Sequence, residues 1–322
     1  MFKHIMVPLD GSSAAEAALP MAMYLAQAFE AEITLFHAIE KNPPEQIHGE
    51  RHLEHAEEAG RYLEEIARRF QEKYAFKGRI LTHVHLEESS DVAKSIADHM
   101  AELEPDLVVM CSHGRSNFTQ AFIGSLATRV IGLGKTPVLL LKSEAAEHGL
   151  TKSGANRIQK SQSGAPQSGA PGIAHVAVAL DNASIHDKAI DYGKEISEAV
   201  HARLVLLSVV PTFSSLKGQD GGWGLMSPAA SSAMLDIEEQ KLREHLSVHQ
   251  KSLAQAGIAC SISVLRGDPA RQIAQAAKKL AQPLIVLGTH GRSGMTAFWK
   301  GSVAAKIVSL TSAPILLVPL HE

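Results

Sequence analysis

Residues 106–141, DLVVMCSHGRSNFTQAFIGSLATRVIGLGKTPVLLL, return without a gap as PLIVLGTHGRSGMTAFWKGSVAAKIVSLTSAPILLV at 283–318. Each copy runs from a short continuous apolar segment (LVVM, LIVL) through a glycine-containing polar loop into a helical pattern and then a second apolar segment (PVLLL, PILLV). Apolar runs this short, with no polar alternation, belong to strands buried on both faces. A buried strand that feeds a helix and then another buried strand is the unit of a parallel, doubly wound α/β sheet.

The repetition extends outward from these segments. HIMVPLDGSS at 4–13 lies over HVAVALDNAS at 175–184, which sets Asp10 over Asp181 and Ser13 over Ser184, and EITLFHAI lies over RLVLLSVV. The chain therefore reads as a tandem duplication. Between the copies, SEAAEHGLTKSGANRIQKSQSGAPQSGAPG is a Ser/Gly/Ala/Pro/Gln tract with too little apolar surface to offset its chain entropy. As a flexible coil it spans roughly 30 Å, enough for two domains to pack together. The expected organisation is a domain at 1–143, a linker at 144–172 and a domain at 173–322, each domain a five-stranded, doubly wound, Rossmann-like parallel sheet.

In the first copy the patterns predict strands near 3–9, 32–39, 79–86, 106–111 and 137–142, and helices near 13–29, 45–74, 89–103 and 124–134. Ser13-Ala-Ala-Glu16 has the form of a capping box, and Pro20 should interrupt or kink the first helix. The second copy repeats the plan, with strands near 174–180, 203–210, 259–265, 284–288 and 314–318.

Composition narrows the function classes. The net charge of -3 hides an asymmetry: residues 1–150 hold 14 Lys+Arg against 22 Asp+Glu, and residues 151–322 hold 17 against 12. The second copy is only mildly basic once linker cations are set aside, so nucleic acid is not an expected partner. No apolar run is long enough for a membrane span, and MFKHIMVPLDGSS lacks a small-residue cleavage site and reads as a first strand. The 2 cysteines, Cys111 and Cys260, form neither a disulfide framework nor a metal finger, which points to a reducing, cytoplasmic location.

The twin loops carry the chemistry. The second has the spacing G-x-x-G-x9-G-S, with Gly288, Gly291, Gly301 and Ser302. Glycines let main-chain amides approach a phosphate, and a Gly-Ser pair at a helix start adds free N–H groups and the positive end of the helix dipole. Ser302 can also reach phosphate oxygen or a bridging Mg2+, Arg292 can add a charge-assisted contact, and Asp181 at a strand tip can accept from a ribose hydroxyl or a base amine. The ligand these groups describe is a nucleotide.

On these residues the chain resembles the universal stress protein family in its tandem form, across both halves and excluding the linker. The resemblance implies ATP, with Mg2+ on its phosphates, as the bound cofactor. It assigns Ala179, Leu180, Asp181 and Val209 to the nucleoside and Leu287, Gly288, His290, Gly291, Arg292, Gly301, Ser302 and Val303 to the phosphate loop. The matching first-half positions are Pro8, Leu9, Asp10, Ala38, Met110, His113, Gly114, Arg115, Gly124, Ser125 and Leu126. Cys111 breaks the first loop's pattern where Gly288 keeps the second's. A side chain there is strained if the backbone is left-handed and occupies space beside the strand end if it is not, so the second half is expected to bind more tightly.

The resemblance further implies association of the two copies through their last strands into an internal pseudo-dimer, with homodimerisation as a further level, and a role as a nucleotide-dependent regulator in the stress response. No P-loop, Ser/His/Asp arrangement or H-E-x-x-H is present, so dedicated catalysis is not expected. Two alternatives stand beside this reading: a slow ATPase, and a nucleotide-free scaffold or carrier of an apolar ligand.

Other features are read more plainly. His48, His52 and His55 would share a face if 45–74 were one helix, a ligand-like spacing on what is otherwise a charge-rich solvated surface. His83 and His85 share a strand face and read as structural or exposed. Cys111 reads as a small buried residue, with a reactive thiol as the alternative, and Cys260 as strand core. Trp223 and Met226, in DGGWGLMSP, belong to a loop insertion.

Overall fold

The computed structural model describes residues 2–41, 46–47, 50–51, 53, 55–112, 124–142, 171–181, 183–212, 228–290 and 302–320. The first half contains β1 (His4–Pro8), α1 (Ser13–Glu16), α2 (Leu19–Phe29), β2 (Glu32–Glu40), β3 (Gln46–Ile47), β4 (Glu50–Arg51), α3 (Ala56–Lys73), β5 (Ile80–Ser89), α4 (Val92–Leu103), β6 (Leu107–Cys111), α5 (Ser125–Leu133) and β7 (Val138–Leu141). The second contains β8 (His175–Leu180), a 3-10 turn (Ser184–Asp187), α6 (Lys188–Ala199), β9 (Arg203–Val210), α7 (Pro228–Gln255), β10 (Cys260–Arg266), α8 (Pro269–Lys278), β11 (Pro283–His290), α9 (Val303–Leu310) and β12 (Ile315–Leu320).

Apart from the small β3–β4 pair, the strands form one 10-stranded sheet in the order β10-β9-β8-β11-β12-β7-β6-β1-β2-β5. Within each half every pairing in this sheet is parallel. The single antiparallel junction is between the halves, where Ile315, Leu316 and Leu317 of β12 pair with Leu140, Leu139 and Val138 of β7. Each last strand thus covers the other's open edge, which would otherwise offer unpaired amides and carbonyls.

The core follows the pleat across that seam. Leu139, Leu141, Leu316 and Val318 face one layer, while Val138, Leu140, Ile315 and Leu317 face the other. Both layers are continuous from one half to the other. On the first of them Phe2, just before β1, packs edge-on against Phe29 and lies 6.2 Å from the Tyr192 ring of α6, so the two halves also meet away from the strand seam.

Two local expectations are corrected and a third is met. The helix predicted at 45–74 begins only at Ala56, after an antiparallel pairing of Gln46–Ile47 with Glu50–Arg51. Leu53 is buried with Ile39 and Ala59 and lies over Gly11, where a Cβ would come within 2.9 Å of its Cγ. Burying this leucine against the loop after β1 outweighs the helix-forming composition around it. Of the three histidines in that segment, His55 is an exposed cap preceding the helix, and His48 and His52 lie outside the described residues. The first helix is capped by Ser12, whose Oγ accepts from the Ala15 amide, and not by Ser13. Glu16 instead accepts from the Tyr62 hydroxyl and pairs with Arg69. Pro20 does mark the expected irregularity: the helix is interrupted at Ala17–Ala18, and Pro20 falls in the first turn of α2, where a missing N–H costs nothing.

Candidate functional site

In each half the chain moves outward from its first strand and then returns to that strand's other side, so β1/β6 and β8/β11 are the points where strand order reverses. A crevice opens beyond the carboxyl ends of parallel strands at such points. Both crevices are present. The first is a cavity of about 300 Å³ and the second one of about 750 Å³.

The predicted residues converge on these cavities. Pro8, Leu9, Asp10, Ala38, Met110, Ser125 and Leu126 line the first. Ala179, Leu180, Asp181, Val209, Leu287, Gly288 and Val303 line the second. Gly124 and Ser302 stand at the starts of α5 and α9 but outside the linings. Ser302 caps α9, its Oγ accepting from the Ala305 amide at 3.1 Å. His113, Gly114, Arg115, Gly291, Arg292 and Gly301 lie outside the described residues, and of His290 only its place at the end of β11 is described. Trp223, Met226 and residues 143–170 also lie outside them.

The two aspartates are held differently. One oxygen of Asp10 accepts from the Ser12 amide at 3.0 Å and from the Ser12 hydroxyl at 2.6 Å. The corresponding oxygen of Asp181 takes the Ala183 amide at 2.9 Å and lies 2.5 Å from His186 Nδ1. His186 was not foreseen: it is anchored by contacts made only when the 3-10 turn folds back under β11.

That histidine explains the glycine. Neither Gly288 nor Cys111 has a left-handed backbone, so strain in φ is not the reason for the difference. A Cβ at Gly288 would stand 2.6 Å from Leu320 Cδ1 and 2.9 Å from His186 Cδ2. By the repeat, the first-half counterpart of His186 is Ala15, which lines the first cavity together with Cys111. A small neighbour suits Cys111, whereas a side chain at 288 would have to displace Leu320 and His186.

Cys111 is not an activated thiol. Burial, and then the nearby Asp10 carboxylate, push its pKa up to about 12, so the thiolate that reacts is scarce at neutral pH. In the native protein an aromatic disulfide reagent at pH 8 is expected to leave Cys111 unmodified until denaturant is added, whereas half-exposed Cys260 reacts slowly. Prompt modification of Cys111 in the native state, located by peptide mass mapping, would contradict this.

Other residues that pattern reading missed are Arg129 and Asp91, an ion pair at the first cavity between α5 and the start of α4. Against a desolvation cost that raises it, the Lys94 amide and then the Arg129 guanidinium together hold Asp91 below the ordinary carboxylate range. His83 and His85 pack against His99 of α4, with ring centroids 4.9 and 4.8 Å apart. Partial burial, then the proximity of His99, lower the His83 pKa. This cluster is structural and lies outside the cavity linings.

A family model for the universal stress proteins matches residues 1–142 and again 172–319. The chain belongs to the universal stress protein family. Universal stress protein Sll1654 of Synechocystis is 31% identical over 141 residues, covering 44% of this chain and 86% of the relative. Universal stress protein MJ0531 of Methanocaldococcus jannaschii is 30% identical over 130 residues, 40% of this chain and 70% of the relative. The crystal structure of a putative universal stress protein from Pseudomonas aeruginosa UCBPP-PA14 aligns with 99% of this chain and 94% of its own, with a TM-score of 0.65 at 17% identity. That likeness is one of fold, and it extends through both universal stress protein halves. No helix among the described residues is long and apolar enough to cross a membrane.

Proposed function

We propose that this universal stress protein binds ATP, principally in its second half, and acts in a cytosolic stress response through nucleotide-dependent changes of conformation or partner. The reading rests on one convergence: Asp181, Gly288 and the start of α9 at Val303 border a single 750 Å³ cavity at a strand crossover. That volume lies well inside the range of about 300–1,000 Å³ for small-molecule sites, whereas the first cavity is at its lower limit. Asp181 would accept from the ribose hydroxyls, and Ala179, Leu180 and Val209 would flank the nucleoside. The loop from Gly288 to Ser302 would hold the phosphates through its amides, with Mg2+ neutralising part of their charge.

Saturable binding of Mg-ATP to the full chain is expected by calorimetry. Asp181→Ala should weaken it at least about tenfold, equivalent to one charge-assisted hydrogen bond, while Asp10→Ala should change it less. A larger effect of Asp10→Ala would reverse the ranking of the halves. Absence of saturable binding would remove the function. The apolar part of the second lining, including Met234, Leu235, Leu242 and Ile273, favours one competing reading, an apolar-ligand carrier. Native mass spectrometry of gently purified protein separates the two by the mass of what it releases.

A further inference from the structure

We propose that Asp187, His245 and His249 form a binding site for a zinc-class divalent cation on the outer side of the second half. The inference is independent of the nucleotide reading. His245 and His249 are one turn apart on α7, and their rings lie 4.9 Å from one another. Both direct Nε2 at the same carboxylate at the end of the 3-10 turn. His245 Nε2 is 3.1 Å from Asp187 Oδ1 and His249 Nε2 is 3.2 Å from Asp187 Oδ2. The donor atoms fall within 4.8 Å of one another.

Donors about 2.0–2.1 Å from a tetrahedral zinc ion stand about 3.3 Å apart, close to the two separations present. Two imidazoles with one carboxylate suit Zn2+, Co2+ or Ni2+ and not Mg2+ or Ca2+, which require oxygen donors. The three side chains are 22%, 25% and 23% exposed, so an ion can enter while the surrounding helices restrict the rings. Three protein ligands leave a fourth position for water.

The other half supplies a second observation. Glu16 is the repeat counterpart of Asp187, and α3 is the counterpart of α7. There the carboxylate accepts from the Tyr62 hydroxyl at 3.2 Å and is neutralised by Arg69, so a permanent cation closes the contact between the helices. Among the described residues Asp187 has no such arginine or lysine ion pair and is met by two imidazoles. One copy thus fastens its long helix with a guanidinium, and the other has the donors to fasten it with a metal.

The test uses the full chain freed of metal by a chelator, then titrated with Zn2+ against a chromophoric competitor and, separately, with Co2+. Wild type should bind one equivalent of Zn2+ that His245→Gln/His249→Gln weakens by at least about 100-fold, with Asp187→Asn weakening it about 10–100-fold. Because the chain has 17 histidines, a His48→Ala/His52→Ala/His55→Ala variant serves as control and should retain the equivalent. Co2+ should give the intense visible bands of four-coordinate geometry in wild type and in the control triple variant, and not in the double glutamine variant. The glutamine and asparagine replacements preserve side-chain shape, and equal melting temperatures of all forms in chelator would establish that the variants fold. The proposal is overturned if wild type and the double glutamine variant bind Zn2+ alike, if the control triple variant loses the equivalent, or if wild type takes up none.

Discussion

Leu316→Asp is expected to lower unfolding stability by more than about 4 kcal/mol, in the range reserved for a charge placed in a packed core. Leu316 is only 1% exposed, pairs with Leu139 across the seam, and contributes to a core layer shared by both halves. The substitution deletes apolar contacts and leaves a carboxylate without a partner at the place where the sheets join. Leu86→Asp is the matched control. Leu86 is 73% exposed on the edge strand β5, and its replacement should fall within about 0.5 kcal/mol of wild type. Urea midpoints with unchanged slope would measure both effects. A loss below about 1 kcal/mol for Leu316→Asp would mean that the seam contributes little and that each half is stable without the other.

Gly288→Cys, which writes the first half's residue into the second, is expected to weaken Mg-ATP binding at least about tenfold, or 1.4 kcal/mol, and to lower stability by about 1–3 kcal/mol through overpacking. The new Cβ cannot coexist with Leu320 and His186 where they stand. Their displacement disturbs the His186 contact on Asp181, the carboxylate assigned to the ribose. Adding His186→Ala restores the small neighbour that Cys111 has in Ala15. The pair should therefore be less destabilised than the sum of its members, with a coupling energy within about 0.5–3 kcal/mol. Additive effects would break the steric account. Unchanged nucleotide binding in Gly288→Cys would break the functional one while leaving the packing argument to the stability data.

Much of this could be read along the chain because it is written at short range. Apolar runs such as LVVM and LIVL declare strands buried on both faces, and the gapless return of residues 106–141 at 283–318 declares duplication. Asp10 and Asp181 follow the first strands, while Met110 and Leu287 lie on β6 and β11, so crossover topology carries each pair to one crevice. Local reading failed at 45–55, where a polar, helix-favouring composition concealed one decisive residue, Leu53, whose burial against Gly11 pulls the segment away from the helix.

The amino-acid sequence by itself determined two doubly wound halves, their family and the location of their crevices, since periodicity and loop spacing are properties of neighbouring residues. The expected joining through the last strands is present, but only the tertiary structure decided that β7 and β12 pair antiparallel with Ile315 on Leu140, that His186 and Leu320 crowd position 288, and that Asp187 meets His245 and His249. Those outcomes depend on how helices settle against a sheet and on which edges remain to be covered. Residues 58 positions apart along the chain become neighbours only after that packing has occurred.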